Sequence, residues 1–230
     1  MLLLNKKRVG MNKRLIIIGL LILAISIIGK LVFSAAKHIK VDDFKPAAVI
    51  FVVDSSASNQ KGLAAQKKTV RQICNILDPE DTVKILRVSE DAYLIYEGAP
   101  FNGSGIDKAM DAFTKYDEKD YGTAYGVGLK KAFSHVLTMK KNGYLPAVVV
   151  LGDLENEGSV DKQINWDTLP KNVQNVQKYA PDLAMMFLYA HPEKLDMVKE
   201  KLGPVLGEKK LLISPEQNVD KTIKSFVHAL

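Results

Sequence analysis

The stretch AAVIFVVDSSAS, residues 47–58, predicts the strand on which the fold is built. Its first seven residues are apolar and rich in β-branched side chains, which is typical of a strand covered on both faces of a sheet. The apolar run ends at Asp54, and Ser56 and Ser58 place hydroxyls at the next alternate positions. These side chains are suited either to capping a following helix or to binding a metal ion through oxygen.

Further apolar runs alternate with helical patterns along the chain. Strands are predicted at Val83–Val88, Ala92–Tyr96, Ala147–Leu151, Leu183–Tyr189 and Lys210–Ile213. Helices are predicted at Gln60–Leu77, Gly105–Tyr116, Tyr125–Met139, within Trp166–Tyr179, at Glu193–Leu202 and at Asn218–Ala229. Only Ser89–Asp91 separate the second and third strands, so the third strand should run antiparallel at an edge. The pattern predicts an α/β fold, with a doubly wound, mostly parallel central sheet and helices on both faces.

The N-terminal part of the chain has a different character. Residues 15–29 carry no charge, and with Lys30 the apolar run extends to Phe33. This length is sufficient to cross a bilayer core of about 30 Å as a helix. One interpretation is an uncleaved signal anchor, and another is a signal peptide cleaved after the small residues Ser34-Ala35-Ala36. A third interpretation is a buried hydrophobic helix, which the basic residues before the apolar run disfavour.

These features predict four segments. They are a basic cytoplasmic tail (residues 1–14), a transmembrane signal anchor (15–33), a linker (34–45) and a C-terminal domain (46–230). More basic residues precede the span than closely follow it, so the tail should remain in the cytoplasm. We therefore expect a single-pass protein of the cell membrane with an extracytoplasmic C-terminal domain, or a secreted form if the segment is cleaved.

The distribution of charge and the single cysteine limit the classes of function that the sequence supports. Five of the 32 basic residues lie within positions 6–14, and the remaining 27 balance the 26 acidic residues. The basic isoelectric point therefore belongs to the N-terminus and gives no support for a nucleic-acid partner. Cys74 is the single cysteine, and with Val70 and Leu77 it falls on one helical face, which indicates a small core residue.

The polar residues that follow predicted strands are the candidates for a binding site. In doubly wound sheets, ligands bind outside the carboxyl ends of the strands. Asp54 and Asp153 each follow a buried strand, and Thr123 lies in a loop that opens a helix. The sequence contains neither a glycine-rich dinucleotide fingerprint nor a phosphate loop, so a nucleotide-binding function is disfavoured.

These residues resemble a known constellation. Asp-x-Ser-x-Ser at 54–58, Gly-Thr at 122–123 and the strand-terminal Asp153 are similar to the metal-ion-dependent adhesion site (MIDAS) of von Willebrand factor type A domains. The stretch LDPEDTVKILRVSEDAYLIYEG, residues 77–98, also resembles that family's second helix-to-strand junction and edge hairpin. The family commonly has glycine at the positions of Ala57 and Leu154, so we expect a different backbone conformation at the leucine.

The resemblance implies a specific ligand set. Ser56 and Ser58 would coordinate Mg²⁺ through neutral hydroxyls, and Thr123 would join them. Asp54 and Asp153 would hold the ion mostly through water and accept hydrogen bonds from those hydroxyls. Mn²⁺ or Ca²⁺ are alternatives, because Glu155 and Glu157 add carboxylates nearby. Tyr121 and Tyr125 are interpreted as packing residues, or as rim residues that contact a partner.

The implied function is adhesion or complex assembly rather than catalysis. An ion with few anionic ligands would attract an Asp or Glu carboxylate from a protein partner. Two alternatives remain open at this point. One is a metal-dependent phosphohydrolase using Asp54, Asp153 and Glu155, and the other is a metal-free assembly module of the same fold.

Overall fold

The computed structural model describes residues 45–56, 59, 62–112, 122–155 and 157–214. The predicted anchor at 15–33, Ser58, Tyr121 and the helix predicted at 218–229 lie outside these residues. In the part of the chain that is described, no helix combines the length and apolar character that a bilayer crossing requires.

A six-stranded sheet forms the centre of the domain. Its strands are β1 (Ala47–Asp54), β2 (Thr82–Val88), β3 (Ala92–Gly98), β4 (Leu145–Leu151), β5 (Ala184–Leu188) and β6 (Leu211–Ser214). The strand order is β3-β2-β1-β4-β5-β6. All neighbouring pairs are parallel except β2 and β3, which are antiparallel. The predicted α/β architecture and its antiparallel edge strand are confirmed.

Helices connect the strands at the positions that the sequence pattern indicates. They are α1 (Leu63–Cys74), α2 (Gly103–Ala112), α3 (Tyr125–Lys141), α4 (Leu169–Gln177) and α5 (Pro192–Leu206), with a 3-10 turn at Val160–Lys162. The largest boundary difference lies in α5, which continues through Pro204 to Leu206 rather than ending at Leu202.

The core consists of two apolar clusters, one on each face of the sheet. Every residue of β1 is buried, as its uninterrupted apolar run predicts. Ile50 and Val52 face the cluster that includes α3, α4 and α5, whereas Phe51 faces the cluster that includes α1 and α2. Cys74 belongs to the second cluster, and burial raises the pKa of its thiol to about 12. The cysteine is thus the core residue that the sequence predicted.

The order of the strands places a ligand site beside β1. The chain proceeds from β1 to β2 on one side and later returns to β4 on the other, so the strand order reverses between β1 and β4. Val53 pairs with Leu151, so Asp54 and Asp153 follow the carboxyl ends of adjacent strands. This reversal is the position where doubly wound sheets bind ligands.

A glutamine side chain in the core has no hydrogen-bond partner among the described residues. Gln66 of α1 is completely buried, and neither its amide nitrogen nor its carbonyl oxygen has a partner among the described residues. Burying such groups without partners is unfavourable by about 1–3 kcal/mol.

Substitution of Gln66 by leucine should therefore stabilise the protein. We expect Gln66→Leu to raise the free energy of unfolding by about 1 kcal/mol, because an apolar side chain of similar size needs no partner. Urea unfolding of the full chain measures the change. Gln174→Leu, at an exposed position of α4, is the matched control and should change stability by less than about 0.5 kcal/mol. Destabilisation by Gln66→Leu would contradict the interpretation.

Candidate metal centre

Asp54 is the central residue of the candidate site. It is the last residue of β1, and its side chain is completely buried. Its Oδ1 accepts a hydrogen bond from the backbone N–H of Ser56 at 2.8 Å, and its Oδ2 accepts one from the Tyr125 hydroxyl at 2.8 Å. The Asn59 side-chain amide also donates to the Asp54 carbonyl at 3.3 Å. Both carboxylate oxygens are therefore held by the protein.

The electrostatics of Asp54 reflect its burial. Burial raises the pKa of its carboxyl to about 6, and the negative charge of Asp153 acts in the same direction. Hydrogen bonds from the Ser56 backbone, the Ser56 hydroxyl and Tyr125 act in the opposite direction. Asp54 and Asp153 follow the carboxyl ends of adjacent strands, so the charge of Asp153 disfavours the charged form of Asp54.

Thr123 lies in a loop whose backbone is fixed on both sides. Its N–H donates to the Glu157 carbonyl at 3.0 Å, and the N–H of Ala124 donates to the Ser89 carbonyl at 2.7 Å. The Thr123 side chain is completely buried, yet its hydroxyl finds no hydrogen-bond partner in the described part of the chain. A buried hydroxyl without a partner is unfavourable unless a ligand satisfies it.

The turn after β4 carries Asp153. The Oδ1 of Asp153 accepts a hydrogen bond from the Glu155 backbone at 2.8 Å. Leu154 has a φ of +60°, in the left-handed region that glycine favours, so the expectation of a different backbone conformation is wrong. The leucine side chain is buried in the core, and this apolar burial compensates for the local backbone strain. Glu155 pairs with Lys194 at 3.2 Å.

Helix capping does not account for the candidate residues. Helix α1 begins after Gly62, and no described side chain caps it, so neither Asp54 nor Ser56 has that role. Helix α3 begins after Ala124, again with no side-chain cap from the described residues, so Thr123 is not a capping residue either. The capping interpretation is therefore wrong for Asp54 and Ser56.

The structure adds one residue that the sequence did not assign to the site. Tyr125 is completely buried, so its interpretation as a packing residue is confirmed and a rim role is excluded. Its hydroxyl donates to Asp54 and accepts a hydrogen bond from the Leu154 backbone N–H at 3.2 Å. Burial raises the pKa of this phenol well above its usual value, and the Asp54 charge adds to the effect. In the sequence, the position of Tyr125 two residues after Thr123 was the signal that could have assigned it to the site.

The described residues fit a divalent cation. Asp54, Ser56, Thr123 and Asp153 supply carboxylate and hydroxyl oxygens, which are the ligands that Mg²⁺ prefers. A cation would bind the oxygen of the Thr123 hydroxyl, which has no other partner among the described residues. Within the described ranges there is no group of three or more His, Cys, Asp or Glu side chains suited to a metal. Two carboxylates with several hydroxyls are thus the donor set available at this position.

Comparison with known proteins bears on the family of this chain. A family model described as von Willebrand factor type A domain matches residues 49–156. These residues include all five predicted ligand positions. The von Willebrand factor type A family is therefore supported for this chain. No curated protein matches the sequence.

Several solved structures share the fold of this chain. A von Willebrand factor type A protein from Catenulispora acidiphila has a TM-score of 0.55 at 15% identity, over 79% of this chain and 43% of that one. The conserved hypothetical protein BatB from Bacteroides thetaiotaomicron has a TM-score of 0.55 at 12% identity, over 80% and 98% of the two chains.

A third similar structure contains a metal. Proximal thread matrix protein 1 from the mussel byssus, with a zinc-occupied MIDAS motif, has a TM-score of 0.55 at 10% identity, over 80% of this chain and 48% of that one. This chain spans less than half the length of the mussel and Catenulispora proteins. At these identities the similarity establishes the type A fold alone.

The raised pKa of Asp54 predicts a pH-dependent stability of the metal-free domain. Because the folded-state pKa of about 6 exceeds the ordinary 3.8, the folded protein binds more protons between these values than the unfolded chain does. The contribution to stability is present below this window and is lost as pH rises through it, by on the order of 3 kcal/mol.

Urea unfolding with chelator, at pH values below and above this window, tests the prediction. Asp54→Asn removes the titrating group, so the difference in unfolding free energy between variant and wild type isolates Asp54 from other ionisable residues. We expect that difference to shift in favour of the variant as pH rises. An unchanged difference would show that the Asp54 carboxyl titrates normally.

Proposed function

We propose that this domain binds a protein partner through a divalent cation, with Mg²⁺ as the preferred ion. Asp54, Ser56, Ser58, Thr123 and Asp153 are the proposed ligands, directly or through water. The observation that carries the proposal is the Thr123 hydroxyl, which is buried without a partner in the described part of the chain. Thr123 lies two residues before Tyr125, whose hydroxyl donates a hydrogen bond to Asp54. The zinc-occupied motif in the mussel protein supports the same use of the fold.

The donor set determines what the ion would do. Neutral hydroxyls contribute no charge, and Asp54 already accepts hydrogen bonds at both carboxylate oxygens. When bound, the cation supplies a Lewis-acid position with charge left to attract an Asp or Glu carboxylate of the partner. Asp54 would orient the site, while the Ser56 and Thr123 hydroxyls would contribute oxygen ligands.

Binding fits these contacts better than catalysis. Two-metal hydrolysis requires several directly coordinating carboxylates. Asp54 accepts a hydrogen bond at each carboxylate oxygen, and Glu155 is paired with Lys194. Type A domains are in general interaction modules rather than enzymes. We therefore propose adhesion or complex assembly, by a protein anchored in the cell membrane through residues 15–33 with the domain outside the cytoplasm.

Substitution of Thr123 by valine tests the metal step. Valine has nearly the same shape but no hydroxyl, so Thr123→Val should weaken Mg²⁺ and Mn²⁺ binding by about tenfold or more. It should also raise the unfolding free energy of the metal-free protein by about 1 kcal/mol, because an unpaired buried hydroxyl is removed. Isothermal titration calorimetry and urea unfolding of the full chain measure the two effects.

The control for this experiment is Thr138→Val on the exposed face of α3, where the hydroxyl bonds to the Ser134 carbonyl. That variant should bind metal as the wild type does. Equal metal binding by wild type and Thr123→Val would refute the role of Thr123, and no binding by the wild type would refute the metal site.

Affinity capture tests the partner step. The purified full chain should retain a membrane protein in the presence of Mg²⁺ and release it on addition of chelator, because the partner carboxylate binds through the ion. Ser56→Ala should abolish retention. Capture that survives both chelator and Ser56→Ala would instead support a metal-free assembly module.

A further inference from the structure

We propose that Tyr125 is the positioning residue that holds Asp54 and the turn after β4 in the geometry required for metal binding. This inference rests on the proposed function, since it assigns a role within the same site. It concerns a side chain that is not itself among the proposed ligands.

A single hydroxyl joins three elements of the fold. Tyr125 is the first residue of α3, and its ring is completely buried. The hydroxyl donates to Asp54 Oδ2 at 2.8 Å and accepts a hydrogen bond from the Leu154 N–H at 3.2 Å. It therefore connects the end of β1, the start of α3 and the turn that carries Asp153.

The surrounding backbone is adapted to this hydroxyl. Gly152 has a φ of +149°, and a Cβ atom at this position would lie 2.0 Å from the Tyr125 hydroxyl oxygen and 2.5 Å from Asp54 Cβ. Only glycine permits the close approach of phenol and carboxylate at this position. Leu154 adopts a φ of +60°, and its N–H donates to the same hydroxyl. Gly152 and Leu154 thus both adopt unusual backbone conformations next to the Tyr125 hydroxyl.

This arrangement determines how Asp54 can act. Tyr125 holds Oδ2, and the Ser56 N–H holds Oδ1, so the orientation of the carboxylate is fixed before any ligand arrives. Without the Tyr125 hydroxyl, Asp54 Oδ2 and the Leu154 N–H would both lose their partner in a buried environment. The carboxylate could then rotate, and the turn that carries Asp153 would lose a contact. Groups that orient metal ligands commonly affect metal affinity by about 10–100-fold.

The test compares two tyrosines that each donate a hydrogen bond. Tyr125→Phe removes only the hydroxyl at the site. Tyr96→Phe is the matched control, because Tyr96 is largely buried and donates to the Ala99 carbonyl at 2.6 Å, in the core cluster on the opposite face of the sheet. Both variants of the full chain are titrated with Mg²⁺ and Mn²⁺ and unfolded with urea in chelator.

We expect Tyr125→Phe to weaken metal binding by about tenfold, while Tyr96→Phe leaves the affinity unchanged. Tyr125→Phe should lose more stability than Tyr96→Phe, because it leaves two buried polar groups without this partner rather than one, so metal affinity is compared under conditions where both variants are fully folded. p-Aminophenylalanine at position 125 restores an N–H donor and should recover part of the affinity. Equal metal affinity of wild type and Tyr125→Phe, or an equal loss in both phenylalanine variants, would overturn the inference. Absence of binding by the wild type would overturn the proposed function, and the inference with it.

Discussion

The structure of the site depends on a carboxylate buried at the end of the central strand. A charged group in the interior is unfavourable unless hydrogen bonds or opposite charge compensate it. For Asp54 the compensation comes from Ser56 in the loop after β1 and from Tyr125 at the start of α3. The loop after β1 and the start of α3 are therefore held together, because both donate hydrogen bonds to this one carboxylate. Through Tyr125 the same requirement extends to Leu154 and the turn after β4.

A second constraint is the hydroxyl of Thr123, which has no hydrogen-bond partner among the residues that the structure describes. Protein interiors rarely leave a polar atom without a partner, and such atoms commonly mark a missing water or ion. Thr123 lies between two backbone hydrogen bonds that fix its loop, so the chain cannot simply turn the side chain toward solvent. A cation at this position would satisfy the hydroxyl and offset the repulsion between Asp54 and Asp153. The energetic cost of burying this hydroxyl without a protein partner is thus consistent with a site prepared for a ligand.

The sequence predicts the fold well because its signals are local. The apolar run of β1 can only be a strand covered on both faces, and the short connection at Ser89–Asp91 permits only a hairpin. The positions of Asp54, Thr123 and Asp153 follow from strand ends for the same reason. The role of Tyr125 could not be predicted, because the direction of a side chain in the first helical turn depends on how α3 packs against the sheet. The conformation of Leu154 likewise depends on core burial of its side chain, which no local pattern encodes. The anchor and Ser58 remain predictions from the sequence.

The central claim is that a cation binds between the hydroxyls and carboxylates at this edge of the sheet. A crystal structure of the full chain with Mn²⁺, with the ion located by its anomalous scattering, tests this most directly. The account predicts one strong peak within coordination distance of the Thr123 and Ser56 hydroxyl oxygens, with Asp54 still hydrogen-bonded to Tyr125. A well-ordered Thr123 side chain with no anomalous peak near it, at saturating Mn²⁺, would contradict the account.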